Sequence, residues 1–433
     1  MRFYSTNDNS RFVSLKEAVF KSLPEDDGLY MPEILPKLHS SFIANLKDYT
    51  LPEIGFEVCK SLIGSVIPED ELRGIIERAL TFPAPLVKLD EHLNILELFH
   101  GPSLAFKDFG AQFMAQLMSY FNKGESDELV ILVATSGDTG GAVATGFHEM
   151  PRIKVVILYP SGKISPLQEQ QLTTLGGNVT ALEIDGTFDD CQALVKHAFL
   201  DDTLNRKIRL SSANSINIAR LIPQTFYYFE AYKQLKCHKQ PVVFCVPCGN
   251  FGNLTAGLIA RRMGLLVERF IAATNVNDAV PKYLRTGIFT PKTSVSTISN
   301  AMDVGNPSNF TRMLDLYHST WDDICENICG YSFNDNQTRG AIKEVYEKFE
   351  YMIDPHGAVG YLAAAAYLKN NPDFQLVILE TAHFSKFLVN VQNILSLPVE
   401  VPERLAQLAH LEKHRVEMPA LFCVFKDWLL ANF

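Results

Sequence analysis

The sequence predicts an α/β protein whose mostly parallel β-sheet is covered on both faces by helices, with a mainly helical N-terminal lobe before it. Three observations support this prediction. From about residue 95 onward, short and nearly continuous apolar runs alternate with helical patterns, which is typical of strands buried on both faces. Residues 1–90 instead carry helical patterns interrupted by prolines. A chain of 433 residues is also long enough for two or three lobes.

The N-terminal lobe is predicted to comprise residues 1–90. Residues 14–22 have the spacing of a short amphipathic helix. A further helix is expected to begin at Pro68, because proline at the first helical position and acidic residues in the first turn favour a helix start. Pro83 and Pro85 end this helical part of the chain.

The rest of the chain is predicted to alternate strands and helices. The predicted strands are Leu129–Ala134, Lys154–Tyr159, Val179–Ile184, Val242–Cys248, Arg269–Thr274 and Gln375–Glu380. The predicted helices among them are Phe109–Phe121, Ala142–Met150, Leu167–Leu175, Phe188–Leu200 and Leu254–Met263. Ligands of such folds bind at the carboxyl ends of the strands. The loops that follow the apolar runs are therefore where chemistry is expected.

Composition excludes several classes of protein. The net charge of −10 argues against a general nucleic-acid binder, which needs a basic face. The first residues lack the apolar core of a secretory signal, and no run of about 18 apolar residues predicts a membrane span. Eight cysteines in a chain of this length are expected to be reduced, in the cytoplasm. Cys245 and Cys248 end an apolar run, so they are interpreted as small hydrophobic residues and no metal is expected.

Lys107 lies between Phe106 and Phe109, where a helix is predicted to begin. The helix dipole opposes a cation at this end, and burial among aromatic side chains further disfavours the ammonium form. Both effects lower the pKa of the amine, as a lysine that forms a Schiff base requires. The alternative is an ordinary surface lysine.

Three other loops have suitable chemistry. Thr135–Gly141 exposes backbone N–H groups at a helix N-terminus, which is either an anion site or only a tight turn. Gly249–Asn253 is a glycine-rich turn that can form a phosphate-binding nest, although it matches no nucleotide-binding fingerprint. The hydroxyl of Thr381, at the end of a strand, can contact a ring nitrogen. His383 beside it is interpreted as a packing histidine.

These segments, in this order, resemble the threonine synthase family, which consists of fold-type II pyridoxal-phosphate enzymes related to the tryptophan synthase β subunit. The resemblance covers nearly the whole chain, including Asp27–Pro32 in the N-terminal lobe. Its most specific segments are Ser103–Asp108, Ser136–Gly140, Ser211–Arg220, Gly249–Gly252, Gly305–Asn309 and Thr381–His383. It implies two open, mostly parallel sheets with helices on both faces. The catalytic region would span residues 91–433, with a smaller lobe at about 100–215 and a larger lobe at about 216–433.

The resemblance also implies a cofactor, pyridoxal 5′-phosphate, and the residues that bind it. Lys107 would hold it as a Schiff base, and Thr381 would face the pyridine nitrogen. Asp138 would lie near the phenolic oxygen, where many relatives have asparagine, and its protonation state is left open. The cofactor phosphate would be bound by the loop made of Gly249, Asn250, Phe251, Gly252 and Asn253.

The expected substrate is O-phospho-L-homoserine. By the same resemblance, Ser136 and Thr139 would bind its α-carboxylate. Its phosphate would be bound by Asn214, Ser215 and Arg220, because a fixed cation with neutral donors suits a phosphate dianion. Lys163 and Arg312 are further candidates, with a surface role for each as the alternative.

The implied reaction converts O-phospho-L-homoserine and water to L-threonine and phosphate, with Lys107 acting as the base at Cα. Two alternatives stay open. One is a related phospho-lyase or a serine or threonine dehydratase, and the other is a non-catalytic sensor that binds the cofactor or an amino acid. A monomer or homodimer is expected, without a membrane or nucleic-acid partner.

Overall fold

The computed structural model describes residues 1–235 and 240–433. Its strands are β1 (Phe3–Ser5), β2 (Asp8–Val13), β3 (Tyr30–Pro32), β4 (Leu86–Lys88), β5 (Leu93–Glu97), β6 (Leu129–Ala134), β7 (Ile153–Pro160), β8 (Val179–Asp185), β9 (Arg209–Ser212), β10 (Val242–Pro247), β11 (Arg269–Thr274), β12 (Ile328–Ser332), β13 (Gln375–Glu380) and β14 (Arg415–Pro419).

The α-helices surround these strands. They are α1 (Leu15–Lys21), α2 (Ser40–Ala44), α3 (Leu51–Ile63), α4 (Glu69–Ala79), α5 (Lys107–Phe121), α6 (Asp138–Phe147), α7 (Pro166–Thr173), α8 (Phe188–Leu200), α9 (Asp202–Lys207), α10 (Ile218–Leu221), α11 (Phe226–Gln234), α12 (Gly252–Arg262), α13 (Ala279–Thr286), α14 (Phe310–Leu316), α15 (Trp321–Asn327), α16 (Asp335–Phe349), α17 (Pro355–Leu368), α18 (Leu388–Leu395), α19 (Glu403–Ala406) and α20 (Phe422–Asn432).

Two large sheets form the frame of the molecule. The five-stranded sheet has the order β14-β8-β7-β6-β9, and all its pairs are parallel. The six-stranded sheet has the order β12-β11-β10-β13-β5-β4, and only β4 is antiparallel to its neighbour. The predicted α/β class with two mostly parallel sheets is confirmed. Every residue of β6, β10 and β13 is buried, as the continuous apolar runs indicate.

The N-terminal region is mainly helical, as predicted, but it also holds a small antiparallel sheet of order β2-β1-β3. These strands are short, and β2 is polar and largely exposed, so no apolar run marks it. Helix α4 begins one residue later than predicted, with Pro68 at its N-cap. In the described residues, no helix combines the length and the apolar character needed to cross a bilayer.

The last strand of the chain returns to the smaller sheet. The sequence predicts residues 216–433 in the larger lobe, but β14 pairs in parallel with β8 of the five-stranded sheet. Ion pairs reinforce this pairing, since the Arg415 guanidinium lies 2.9 Å from a Glu169 carboxylate oxygen and 2.6 Å from one of Glu183. Because Glu169 belongs to α7, the C-terminal segment also holds that helix in place.

Candidate active site

Lys107 is the first residue of α5, and the loop before it is fixed to the end of β13. The Phe106 N–H donates to the Thr381 carbonyl at 2.8 Å, and the His383 N–H donates to the Leu104 carbonyl at 3.0 Å. The side chain of Lys107 is partly buried, and its amine has no hydrogen-bond acceptor among residues 1–235 and 240–433. Burial lowers the pKa of Lys107 to about 8, and the charges of Arg220 and Lys386 act in the same direction, against Asp138.

The turn between β10 and α12 contains five consecutive backbone N–H groups, those of residues 249–253, that have no acceptor within the described chain. Phe251 at the N-cap has a φ of 60°, in the left-handed region. Unpaired N–H groups at the N-terminus of an 11-residue helix form a site for an anion such as a phosphate.

Close packing fixes the shape of this turn. A Cβ atom on Gly249 would lie 2.4 Å from the Ala301 carbonyl oxygen, so only glycine fits there. The Asn253 side chain donates to the Pro247 carbonyl at 2.8 Å. The Asn250 side chain donates to Ser215 Oγ at 2.6 Å and accepts from the Ser308 N–H at 2.6 Å. Asn250 therefore connects the predicted cofactor loop to the predicted substrate loop.

Thr381 and His383 follow β13 and differ in how their polar atoms are used. Thr381 is buried, and its hydroxyl has no partner in the part of the chain that the structure describes. The His383 ring pairs with Ser385 Oγ at 2.7 Å and packs against Phe384. Burial lowers the pKa of His383 to about 4, so the ring is neutral. These contacts fit the interpretation of His383 as a packing histidine and leave the Thr381 hydroxyl free for a ligand.

Asp138 begins α6 and is buried. Its Oδ1 lies 2.7 Å from Lys386 Nζ and accepts a hydrogen bond from Gln168 Nε2 at 3.0 Å. Burial alone would raise the pKa of Asp138, but the Lys386 and Lys107 cations outweigh burial and hold that pKa well below its ordinary value. The carboxyl group is therefore ionised at neutral pH.

Two further residues of the site, Lys386 and Gln168, were not predicted from the sequence. Lys107 is a candidate because it is a lysine next to phenylalanines, after the end of a strand. The same pattern applies to Lys386, which lies beside Phe387 and five residues after Thr381. Gln168 is the third residue of α7 and forms a capping box with Ser165 at the N-cap. This motif explains why a glutamine is at that position, but it does not predict the contact with Asp138.

Ser136 lies on the turn between β6 and α6, Thr139 is the second residue of α6, and both are partly exposed. The hydroxyls of these two residues, and the N–H groups of 136, 138 and 139, have no partner within the described residues. The Thr135 hydroxyl accepts from the N–H groups of Gly137 and Gly140, at 2.9 and 2.8 Å, and so holds the turn in shape. This turn can bind a carboxylate.

The predicted phosphate-binding residues lie near α10. Asn214 donates to the Ala134 carbonyl at 2.9 Å, and the Ser215 hydroxyl remains able to donate. Arg220 is buried, and burial lowers its pKa to about 10, so it stays charged at neutral pH. Its guanidinium makes one hydrogen bond, from Nη1 to the Ala213 carbonyl at 2.7 Å, and its Nε is buried without an acceptor in the described residues.

The two further basic candidates have different surroundings. Lys163 is exposed on the turn after β7. Arg312 is fully buried and donates to the carbonyls of Tyr30 and Ile216, among other oxygens. These contacts favour a structural role for Arg312, in which it ties the N-terminal region to the loop before α10.

Comparison with known proteins identifies the family. Residues 79–379 match the family model for pyridoxal-phosphate dependent enzymes, residues 2–80 match the model for the threonine synthase N terminus, and residues 357–425 match the model for the threonine synthase C-terminal region. The chain belongs to the threonine synthase family.

Solved and curated members of the threonine synthase family match the chain along its whole length. Threonine synthase of Haemophilus influenzae is 44% identical over 433 residues, which are 100% of both chains. The crystal structure of threonine synthase from Escherichia coli has a TM-score of 0.93, with 42% identity and 100% of both chains covered. The structure of a threonine synthase from Brucella melitensis with bound PLP has a TM-score of 0.93 and 33% identity, and covers 99% of this chain and 98% of that one.

The cofactor of this family, pyridoxal 5′-phosphate, fits the residues present. A phosphate needs several N–H donors, which the turn at 249–253 supplies. The aldehyde carbon of the cofactor needs an amine of lowered pKa to form a Schiff base, and Lys107 supplies this amine. The pyridine nitrogen needs a hydroxyl or an acid, and the Thr381 hydroxyl is free to serve. All three groups follow the carboxyl ends of strands in the six-stranded sheet.

Proposed function

We propose that this protein converts O-phospho-L-homoserine and water to L-threonine and phosphate. The observation that carries the proposal is a second anion site in addition to the turn at 249–253. The Arg220 guanidinium is buried and makes one hydrogen bond within the described residues. It lies against Gly110, one turn after Lys107 on α5, since a Cβ atom on Gly110 would be 2.6 Å from Arg220 Nε. A substrate that is both an amino acid and a phosphate ester would use the two sites together.

The chain's own residues have separate tasks in this proposal. Ser136, Thr139 and the N–H groups of their turn bind the substrate α-carboxylate. Arg220, Asn214 and Ser215 bind the substrate phosphate, both as part of the substrate and as the leaving group. The bound cofactor supplies an electron sink for negative charge that develops at Cα.

Lys107 is the base in the proposed reaction. An amine with a pKa of about 8 is partly neutral near pH 7, so it can attach the cofactor and, once released, remove the proton from Cα. Loss of a proton from Cβ and of phosphate from Cγ follows. A proton then adds to Cγ, which becomes the methyl group, water adds its hydroxyl at Cβ, and a proton returns to Cα. The atoms balance, because the substrate and one water give threonine and one phosphate.

The test is a product assay with the cofactor-loaded protein. O-phospho-L-homoserine should yield threonine and phosphate in equal amounts. A keto acid and ammonia would identify a lyase or dehydratase instead, and absence of turnover over a panel of phosphorylated amino acids would identify a sensor. Lys107→Ala should lose both turnover and the visible absorbance of the bound cofactor, and an unchanged spectrum would contradict the role of Lys107.

We also propose that the protein works in the cytoplasm as a monomer or homodimer on this small-molecule substrate. The seven cysteines within the described residues are free, which is typical of a reducing compartment. Cys237 lies outside the described residues. Cell fractionation and light scattering of the purified protein test these two statements.

A further inference from the structure

We propose that Lys386 is a positioning residue that keeps Asp138 in its carboxylate form and fixes together the loops that carry Asp138 and Lys107. This inference deepens the proposed function. It rests on that function only for the cofactor and not for the substrate.

Lys386 is entirely enclosed by protein. Its side chain has 0% exposure, and that of Asp138 has 4%. Lys386 Nζ lies 2.7 Å from Asp138 Oδ1 and donates to the Ser103 carbonyl at 2.9 Å. A buried lysine is costly unless it is paired and hydrogen-bonded, and these two contacts meet that need.

The amine of Lys386 connects three loops of the site. Lys386 itself follows the loop that begins at Thr381. Ser103 belongs to the loop that leads into Lys107, and Asp138 ends the turn that carries Ser136. Gln171 reinforces this junction, since its side chain donates to the same Ser103 carbonyl at 3.0 Å. A change at Lys386 would therefore reach Lys107 and Asp138 at once.

The hydrogen bond from Gln168 shows that Asp138 Oδ1 is an acceptor, and the Lys386 amine paired with the same oxygen favours the ionised carboxylate. Gln168 Oε1 accepts from the Ser165 N–H at 3.1 Å, so the amide orientation is fixed and Nε2 is the atom that faces Asp138. Asp138 Oδ1 thus meets two donors, Gln168 Nε2 and Lys386 Nζ. An oxygen between two donors is an acceptor and carries no proton.

Other charges face this pair from neighbouring elements. Lys107 and Asp108 lie on α5, and His356 lies on α17, where its ring pairs with Asp354 at 2.6 Å. The charge of Arg220 on α10 lowers the pKa of Lys107. Because Lys386 and Asp138 carry opposite charges, the two together add no net charge next to the cofactor. Removal of either one leaves one uncompensated charge, and removal of both restores neutrality.

The experiment compares three variants of the cofactor-loaded protein: Lys386→Met, Asp138→Asn and the double variant. The readout is the pH midpoint of the change in visible absorbance of the cofactor bound to Lys107. Loss of the lysine cation should favour protonation there and raise the midpoint by about one pH unit or more. Asp138→Asn should lower it by a similar amount, and the double variant should return close to the parent value.

Gln171→Met is the matched control. It removes the other hydrogen bond to the Ser103 carbonyl without changing any charge, so it should leave the midpoint near the parent value. If Lys386→Met moves the midpoint no further than Gln171→Met does, Lys386 is only structural and the proposal is wrong.

A second comparison and a second readout are available if a variant does not fold or the bound cofactor does not titrate. If Lys386→Met does not fold, as judged by circular dichroism, Asp138→Asn is compared with the double variant, whose midpoint should be higher. If the bound cofactor does not titrate, the pH midpoint for cofactor capture by the apoprotein replaces the absorbance midpoint. None of these measurements uses O-phospho-L-homoserine, so an error in the proposed substrate would not affect them.

Discussion

Arg220 and Arg312 are both buried arginines, yet their surroundings differ in what they leave unpaired. Among the described residues, Arg312 makes five hydrogen bonds: two to the Tyr30 carbonyl and one each to the carbonyls of Ser215 and Ile216 and to Asn309 Oδ1. These use the full donor capacity of a guanidinium. Within the same part of the chain, Arg220 makes one hydrogen bond, to the Ala213 carbonyl. A buried cation saturated by protein oxygens stabilises the fold, whereas one with free donors can bind an anion.

The largest expected effect is that of Arg220→Met on activity. The variant keeps most of the side-chain volume but loses the charge that would bind the substrate phosphate. We expect kcat/KM for O-phospho-L-homoserine to fall about a hundredfold to a thousandfold, since truncating one partner of a buried charged contact has effects of this size. Steady-state kinetics measure it. A decrease of less than about threefold, which is ordinary for a peripheral residue, would show that Arg220 does not bind the substrate phosphate.

Arg312→Met should act on stability instead. It leaves several backbone carbonyls buried without donors between the N-terminal region and the loop before α10. We expect the free energy of unfolding to fall by about 3–5 kcal/mol, and by much less in Arg220→Met. Urea denaturation of both variants measures the difference. Equal losses in the two variants would break the contrast between the two arginines.

Gly110→Ala tests how Arg220 is placed. Gly110 lies one turn after Lys107 on α5, and a Cβ atom there would lie 2.6 Å from Arg220 Nε and 3.0 Å from the Arg220 carbonyl oxygen. The added methyl should displace the guanidinium and raise KM about tenfold, with a stability loss of about 1–3 kcal/mol. Kinetics and urea denaturation of the same preparation give both values.

Gly340→Ala is the control for that substitution. Gly340 lies inside α16, and a Cβ atom there would meet nothing within 4 Å. Alanine is the better helix former, so this variant should gain about 0.5–1 kcal/mol and keep the parent KM. If both glycine variants raise KM alike, the effect of Gly110→Ala does not come from Arg220.

The smallest expected effect is a shift in pH dependence. Cofactor capture by the apoprotein needs the neutral amine of Lys107, so its rate should rise with pH and level off above about pH 8. Arg220 is one of the cations that lower this pKa, whereas Arg312 is not among them. Arg220→Met should therefore move the midpoint upward by less than about one pH unit, and Arg312→Met should leave it in place. Stopped-flow absorbance measures both.

Much of the frame follows from the sequence, because continuous apolar runs report strands that are buried on both faces. The runs at β6, β11 and β13 have the predicted bounds. The missed strands are short or partly exposed, as with β2 and β14, so no apolar pattern marks them. The turns at strand ends were also predictable, because glycines and hydroxyl residues there leave N–H groups unpaired.

Pairing between distant side chains was not predictable from local patterns. The sequence gives no sign that Lys386 neutralises Asp138, or that Gln168 donates to it, because these contacts join separate loops. It also cannot distinguish Arg220 from Arg312, since the distinction depends on which carbonyls surround each guanidinium. The local sequence indicates where a charge lies, and the fold determines whether that charge is already satisfied.

In the proposed reaction, phosphate leaves from Cγ and water adds at Cβ. Turnover of O-phospho-L-homoserine in water enriched with oxygen-18 tests it most directly, with mass spectrometry of both products. We expect the label in the β-hydroxyl of threonine and none in the released phosphate, because the bond that breaks joins carbon to oxygen. Label in the phosphate, with unlabelled homoserine as the other product, would mean hydrolysis at phosphorus and would contradict the proposed function.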